Sequence, residues 1–442
     1  MVRPSSTACH RRARRWFVGA SVLLVAIQVV LIPVPRVDNH LLSSDAGYYY
    51  AYMRSALLDG DLDVRNDIEL YNSRMSEENP NRLTVSYGFS VGPGLLWSPF
   101  FALSHGVVLL LRALGAPISA DGFSYFEEAV VCVASALYAM LGLFLVYRWL
   151  LGLVPGWVAL LAAFSVFAGS SALYYAVFEP SMSHTLELFS VGLFVWILLA
   201  RPDTGLAGWL AVGTAAGLMT IVRWQNGVFL ILLLLRFFRD WPGRGGRGVV
   251  AAVFARTGAA AIGFVPLVML QIVFWRLTLG QYLTVPQGTH YLNVSAPHIV
   301  DVLLSTRHGL FLWTPITLLG MVGLLFVRDR KLAAFLLAAF ALDLYISSVV
   351  LDWSGHASYG IRRLVGATPV FALGFAALVD RLTTAAARRV IAALTGLAIL
   401  WNFAFIVQYR LGLIPTDDYL TARQIITEKF SLPRTMVQRL FR

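Results

Sequence analysis

Apolar residues dominate this chain in long blocks separated by short polar stretches. The blocks fall near 16–33, 93–111, 129–147, 157–176, 185–200, 206–222, 226–238, 257–276, 309–327, 332–350, 364–380 and 390–408. Most approach the roughly 20 apolar residues that an α-helix needs to cross a bilayer. The pattern predicts an all-α polytopic integral membrane protein with about 11–12 transmembrane helices. It divides the chain into a basic cytoplasmic N-terminus (1–15), a multi-pass region (16–408) and a C-terminal tail (409–442). The longest polar interruption, 34–90, reads as a large first outer loop with short amphipathic helices.

Composition supports this reading. Of 442 residues 58% are hydrophobic and 13% charged, against about 25% charged in soluble domains, which excludes a soluble enzyme and a disordered chain. The net charge of +11 comes from 33 arginines and two lysines, Lys331 and Lys429. Most arginines sit at the ends of apolar blocks, where they report topology and headgroup contact, so no nucleic-acid partner is expected. RRARR at 11–15 before the first block reads as an uncleaved signal anchor. Arginine-rich stretches at 236–256, 328–331 and 381–389 are assigned to the cytoplasm. Counting from them puts DGFSYFEE (121–128), FEPSMSH (178–184), RWQN (223–226), 277–308 and 351–363 outside, with the first loop. That count requires 93–111, with its Gly92-Pro93-Gly94 start and Pro99, to make no net crossing, as a broken or re-entrant helix would. The active site is therefore expected on the outer face of the inner membrane.

The first outer loop holds nine of the 24 carboxylates, about three times the mean density. In SSDAGYYYAYMRSALLDGDLDVRND (43–67), Asp45 precedes Tyr48, Tyr49, Tyr50 and Tyr52. A carboxylate here can serve as general base toward a hydroxyl, or simply begin a helix. The tyrosines suit a surface touching both sugar and lipid. Glu179 and His184 in FEPSMSH could hold a divalent cation or a phosphate-bearing donor, or only start a helix. Arg223 in MTIVRWQNGVF is costly at mid-membrane, so it should end a span or face a polar cavity, where a lipid-linked phosphate could use its charge. LDWSGHASYGIRRL (351–364) supplies Asp352, His356, Arg362 and Arg363, with arginines that could neutralise a departing phosphate. The loop 280–311 is expected to shape a pocket rim. No Walker loop, dinucleotide fingerprint or paired-cysteine motif occurs, so no nucleotide donor is indicated.

Asp45 at the start of the first outer loop, the tyrosines after it, and FSVGPGLLWSPFF (89–101) leading into apolar sequence resemble the GT-C superfamily of membrane glycosyltransferases. The nearest branch is the protein mannosyltransferase and aminoarabinose transferase type. The resemblance implies a polytopic helical fold, Asp45 as catalytic base, and a sugar donor on a polyprenyl phosphate. Its partners would be that donor, membrane lipids and a glycan, lipid or protein acceptor. Ala46 stands where many members have Glu, and Gly92-Pro93-Gly94 where many have paired prolines. A transporter or flippase of lipid-linked sugars and a surface-polysaccharide polymerase or ligase remain alternatives. No internal repeat of the kind transporters often show is found.

Overall fold

A computed structural model describes residues 7–32, 40–42, 45–79, 82–84, 88–200, 205–240, 247–285 and 288–440. Asp38 of the first outer loop and Arg244 of the arginine-rich 236–256 stretch lie outside the described residues. In chain order the helices are α1 Thr7–Leu31, α2 Asp45–Arg54, α3 Arg65–Asn72, α4 Gly92–Ala113, α5 Tyr125–Leu150, α6 Gly156–Ala168, α7 Ser171–Val177, α8 Ser183–Ala200 and α9 Leu206–Val222. They continue with α10 Ile231–Asp240, α11 Arg247–Leu279, α12 Ile299–Leu304, α13 Leu310–Trp313, α14 Ile316–Gly323, α15 Arg330–Ser348, α16 Thr368–Arg381, α17 Ala385–Arg410 and α18 Glu428–Leu440.

Every predicted apolar block contains helix. Among the described residues seven helices are long and apolar enough to cross a membrane, α6 and α7 form an eighth candidate bent by 74°, and four more apolar helices are shorter. The protein is a multi-pass membrane protein.

The chain separates into two compact units. The first comprises Trp16–Leu145 and Tyr175–His290. In it α9 and α11 approach at glycines: a Cβ on Gly213 would stand 1.8 Å from the Ala260 carbonyl oxygen, and one on Gly263 would stand 2.3 Å from that of Leu210. Without an aqueous driving force between spans, such small-residue contacts let backbones gain dispersion energy.

The first polar segment folds onto the start of α5 in this unit. The His40 Nδ1 donates to Glu128 at 2.5 Å, and the same carboxylate accepts from the Leu41 amide at 2.7 Å. Arg54 bonds Asp59, Asp67 and the Asp121 carbonyl, while Arg74 bonds Asp121. The 121–128 turn thus packs on the first polar segment.

The structure corrects the break expected within 93–111. Despite Pro99, α4 is one unbroken helix of 22 residues. It runs antiparallel to α5, with Trp97 bonded to Ser135 and His105 to Glu127. Pro93 lies in its first turn, where the missing N–H costs nothing.

The second unit comprises Met1–Arg15, Val146–Tyr174 and Tyr291–Arg442. The break occurs here, at Gly169-Ser170 between α6 and α7. A Cβ on Gly169 would meet Ile316 at 2.7 Å, and the Asn402 side-chain amide from α17 donates to the Ala168 and Ser170 carbonyls at 2.9 and 3.1 Å. That amide satisfies carbonyls freed by the kink, the condition under which a span can bend in lipid. α14 and α16 also cross at glycines, with a Gly374 Cβ placed 1.8 Å from the Gly320 carbonyl oxygen.

Candidate functional site

In the first unit, Asp45 occupies the first turn of α2, where its carboxylate is half-buried and complements the N-terminal end of the helix dipole. Tyr49 follows four residues later and Tyr52 seven, so the three share one helix face. The neighbouring tyrosines correct the expectation of a sugar- and lipid-touching surface. Tyr48, Tyr49, Tyr50 and Tyr52 are only 0–6% exposed. Tyr48 stacks on Phe89, and its hydroxyl accepts from the Thr84 amide. Tyr50 donates to the Gly122 carbonyl, and Tyr52 accepts from the Phe89 amide. These rings fasten α2 down, and the Tyr49 hydroxyl reaches Ser183 at 3.4 Å.

Ser183 opens a polar cluster. Arg223 ends α9 in an extended conformation, with φ −152° and ψ 123°, before a short 3₁₀ helix, Trp224–Leu230. Its guanidinium donates to Ser183 at 3.1 Å and to Gln225 at 2.8 Å, and it lies 3.4 Å from the His184 Nδ1. His184 is fully buried, donates to Glu187 at 3.1 Å, and packs on the Tyr175 ring. The Arg223 Nε stands 3.5 Å from the same carboxylate. Glu187 is thus an acid beside His184 that sequence spacing did not point to. Being at i+3 on α8, it shares His184's face, whereas Glu179 lies in the turn before the helix.

Around this guanidinium the buried polar atoms are incompletely matched. Ser181 Oγ, Arg223 Nε, Trp224 Nε1 and Asn226 Oδ1 are buried without hydrogen-bond partners. Three donate and one accepts, an inventory suited to an anion. Buried polar groups are nearly always satisfied, so these four atoms, in two short segments, are open to a polar partner; the Arg223 Nε also faces Glu187 at 3.5 Å. Among the described residues no group of three or more His, Cys, Asp or Glu side chains could hold a metal ion. Farther along α2, Tyr52, residues 61–65 and the last turn of α11 line a cavity of about 660 Å³.

The second unit holds the other predicted residues. Arg363 donates to Asp352 and to the Tyr291 hydroxyl, each at 2.8 Å, and to the Asp352 carbonyl at 2.8 Å; Tyr291 also donates to Asp352. His356 stands between two acids, with Nε2 3.7 Å from Asp352 and Nδ1 3.3 Å from Asp417. Arg307 closes the series on Asp417. Arg362 opens the 3₁₀ helix Arg362–Ala367 and is half-buried. Arg363, expected to face a phosphate, is thus held by its own loop. His308 and His356 are the non-glycine residues with positive φ among those described, at 65° and 52°. His308 is buried, and its Nδ1 donates to the Ser354 carbonyl at 2.8 Å. Burial pushes its imidazole down to about 4, so it is neutral at pH 7.

Sequence reasoning missed Glu187 and Asp343, both buried carboxylates within helices that are candidate spans. The available signal was their position: an acid inside an apolar block is expensive unless partnered.

No protein-family model and no curated protein matches the sequence. Solved structures do. ArnT from Cupriavidus metallidurans in the apo state superposes with a TM-score of 0.52 at 16% identity, over 94% of this chain and 72% of that one. The same protein bound to undecaprenyl phosphate gives 0.51 at 17% identity, over 94% and 73%. The chain has the fold of ArnT, the fold that the GT-C resemblance implied.

Proposed function

We propose that the protein is a membrane glycosyltransferase that moves a sugar from a polyprenyl-phosphate donor to a hydroxyl of a glycan, lipid or protein acceptor, at the outer face of the inner membrane. The observation that carries this reading is the polar cluster around Arg223, with its unmatched buried donors. It lies in the unit that also contains α2 and Asp45. The shared fold with a protein solved with undecaprenyl phosphate supports the lipid-phosphate donor.

In this mechanism the donor phosphate sits against the Arg223 guanidinium and the Ser183 hydroxyl. Asp45 removes the proton of the acceptor hydroxyl as that oxygen attacks the anomeric carbon. The bond from the anomeric carbon to the phosphate oxygen breaks, its electron pair stays with the polyprenyl phosphate, and the anomeric centre inverts. Arg223 stabilises charge that grows on the leaving phosphate, and an arginine fork suits that geometry. Glu187 holds Arg223 and His184 in place. A divalent cation remains a candidate cofactor, with Glu187 and His184 the closest acid and imidazole in the cluster.

The test is transfer of radiolabel from polyprenyl-phosphate sugars by the purified protein in nanodiscs, with the product identified. Asp45→Asn should lower the transfer rate by about 10²–10⁴ while donor binding is retained. Full transfer by that variant would remove Asp45 as the base. Transbilayer movement of the donor without transfer would replace this reading with a flippase.

A further inference from the structure

The tail beyond the last span contains α18, preceded by the short π-helical turn Arg423–Thr427. Its inner stripe is Ile425, Lys429 and Leu432, spaced four and three apart, as residues on one helix face are. Ile425 and Leu432 are buried. The Lys429 ammonium bonds the Gln408 side chain at 2.8 Å and lies over the Trp401 and Phe405 rings of α17. Gln408 in turn donates to the Gln424 carbonyl at 2.8 Å.

These contacts locate the tail helix. Trp401, Phe405 and Gln408 belong to the last three turns of α17, a candidate span of 26 residues whose surface is mostly not covered by protein. At a rise of about 1.5 Å per residue, Trp401 lies roughly 13 Å inside the helix end. The tail therefore folds back beside the last turns of α17, a helix long and apolar enough to cross a membrane.

The outer stripe fits that setting. Arg423, Ile426, Phe430 and Arg434 are spaced three, four and four apart, so they share the face opposite the inner stripe. All four are exposed; Phe430 is 83% and Ile426 53% exposed. An exposed apolar centre flanked by arginines is unfavourable in water. At a bilayer surface the apolar pair enters hydrocarbon and the guanidinium groups meet phosphates.

We propose that the α18 segment is an interfacial anchor, whose Arg423–Ile426–Phe430–Arg434 face binds the surface of an anionic lipid bilayer. Positive charge on the stripe, from Arg434 and from Arg423, which also meets Glu428 at 3.5 Å, selects anionic headgroups. The role is independent of the transferase reading, because Asp45 and Arg223 belong to the other compact unit.

The test uses the full-length protein with Cys9→Ser, reconstituted at one copy per nanodisc. An environment-sensitive fluorophore is placed at Phe430→Cys, the remaining Cys132 being buried. The discs contain either phosphatidylcholine alone or phosphatidylcholine with phosphatidylglycerol. In anionic discs a lipid-borne nitroxide should quench the probe and aqueous iodide should not. Arg423→Gln with Arg434→Gln should lower the docked-to-undocked ratio roughly 10-fold or more, an effect that high salt reproduces. A probe quenched by iodide and not by the lipid nitroxide in anionic discs would overturn the proposal. Equal docking in both lipids would overturn the selection for anionic headgroups. If the probe is shielded only when two copies share a disc, the face binds a second copy and the proposal fails. A label at exposed Thr421, outside the stripe, reports whether a variant has lost the fold.

Discussion

Two polar clusters, one in each compact unit, use similar residues to opposite ends. In the second unit the side chains run from Arg307 to Asp417 to His356 to Asp352 to Arg363, and Tyr291 meets the far end. Arg363 spends its donors on Asp352, Tyr291 and backbone carbonyls. In the first unit Arg223 has Glu187, Ser183 and Gln225, yet Ser181, Trp224, Asn226 and its own Nε keep buried polar atoms unmatched. The second unit also keeps unmatched buried atoms, Arg307 Nε and His308 Nε2, but fewer of them, and each such atom costs free energy until something meets it. Counting arginines would rank the second cluster higher; counting unmatched buried atoms, four named in the first against two in the second, reverses the order.

The largest effect should follow from Arg223→Gln. Losing the guanidinium that meets the leaving phosphate should lower kcat/KM by about 10²–10³, and Arg223→Lys should recover only part of this, because a point charge lacks the fork. Radiolabel transfer by protein of verified fold measures both. Transfer within a few-fold of wild type by Arg223→Gln would remove the first cluster from the chemistry.

Arg363→Gln should act on stability instead. The pair it breaks is nearly buried, with side chains 11% and 10% exposed, and stranding Asp352 should cost about 3 kcal/mol. Thermal unfolding in detergent should show the loss, with kcat/KM of the folded fraction close to wild type. The reverse pattern, unchanged stability and lost transfer, would exchange the roles of the two clusters.

The sequence made part of this legible. Apolar blocks of 13–20 residues become helices because a bilayer demands satisfied backbone groups. Arg223 could be read as a span end because a mid-membrane guanidinium is costly. The kink was misplaced because Pro99 and the glycines of α4 are local signals. The kink at 169–170 instead depends on Asn402, more than 230 residues later, to bond the freed carbonyls. The partners of His184 and Arg363 were hidden for related reasons. Glu187 looked like an isolated acid in an apolar block, and Tyr291 reaches Arg363 across 72 residues. Residue type and spacing reveal which groups are expensive to bury, and only the tertiary fold reveals which groups offset that cost.

The second cluster should also give stability a pH dependence. His308 titrates at about 4 when folded against 6.5 ordinarily. The unfolded chain therefore binds the proton first, so stability is full above pH 6.5 and falls as pH drops toward 4, by about 3 kcal/mol in total. For Asp417, burial pushes the carboxyl up, but Arg307 and His356 outweigh it and hold it below 3.8. Its contribution is present above that value and lost only at lower pH. His308→Asn keeps a residue tolerant of positive φ and should flatten the unfolding profile between pH 6.5 and 4. A slope unchanged in that variant would assign the proton to another group.

The smallest effect is expected where the first polar segment is most acidic. Asp63 receives two hydrogen bonds from Arg65, at 2.8 and 3.0 Å, but both side chains are more than half exposed. Solvent screens such a pair, and holding two side chains in one geometry consumes most of the Coulombic gain. Asp67, by contrast, is buried against Arg54, so the segment's acids differ in what they do. Asp63→Asn should leave the unfolding temperature and the transfer rate at saturating donor unchanged. Asp63 and Arg65 also line the cavity that Tyr52 reaches from the Asp45 face of α2, which gives the measurement a second use. If Asp63→Asn raises the KM for acceptor while the donor KM holds, the cavity takes the acceptor. The division between a better-matched cluster and a less-matched one would then need a third region, open to solvent and selective without buried charge.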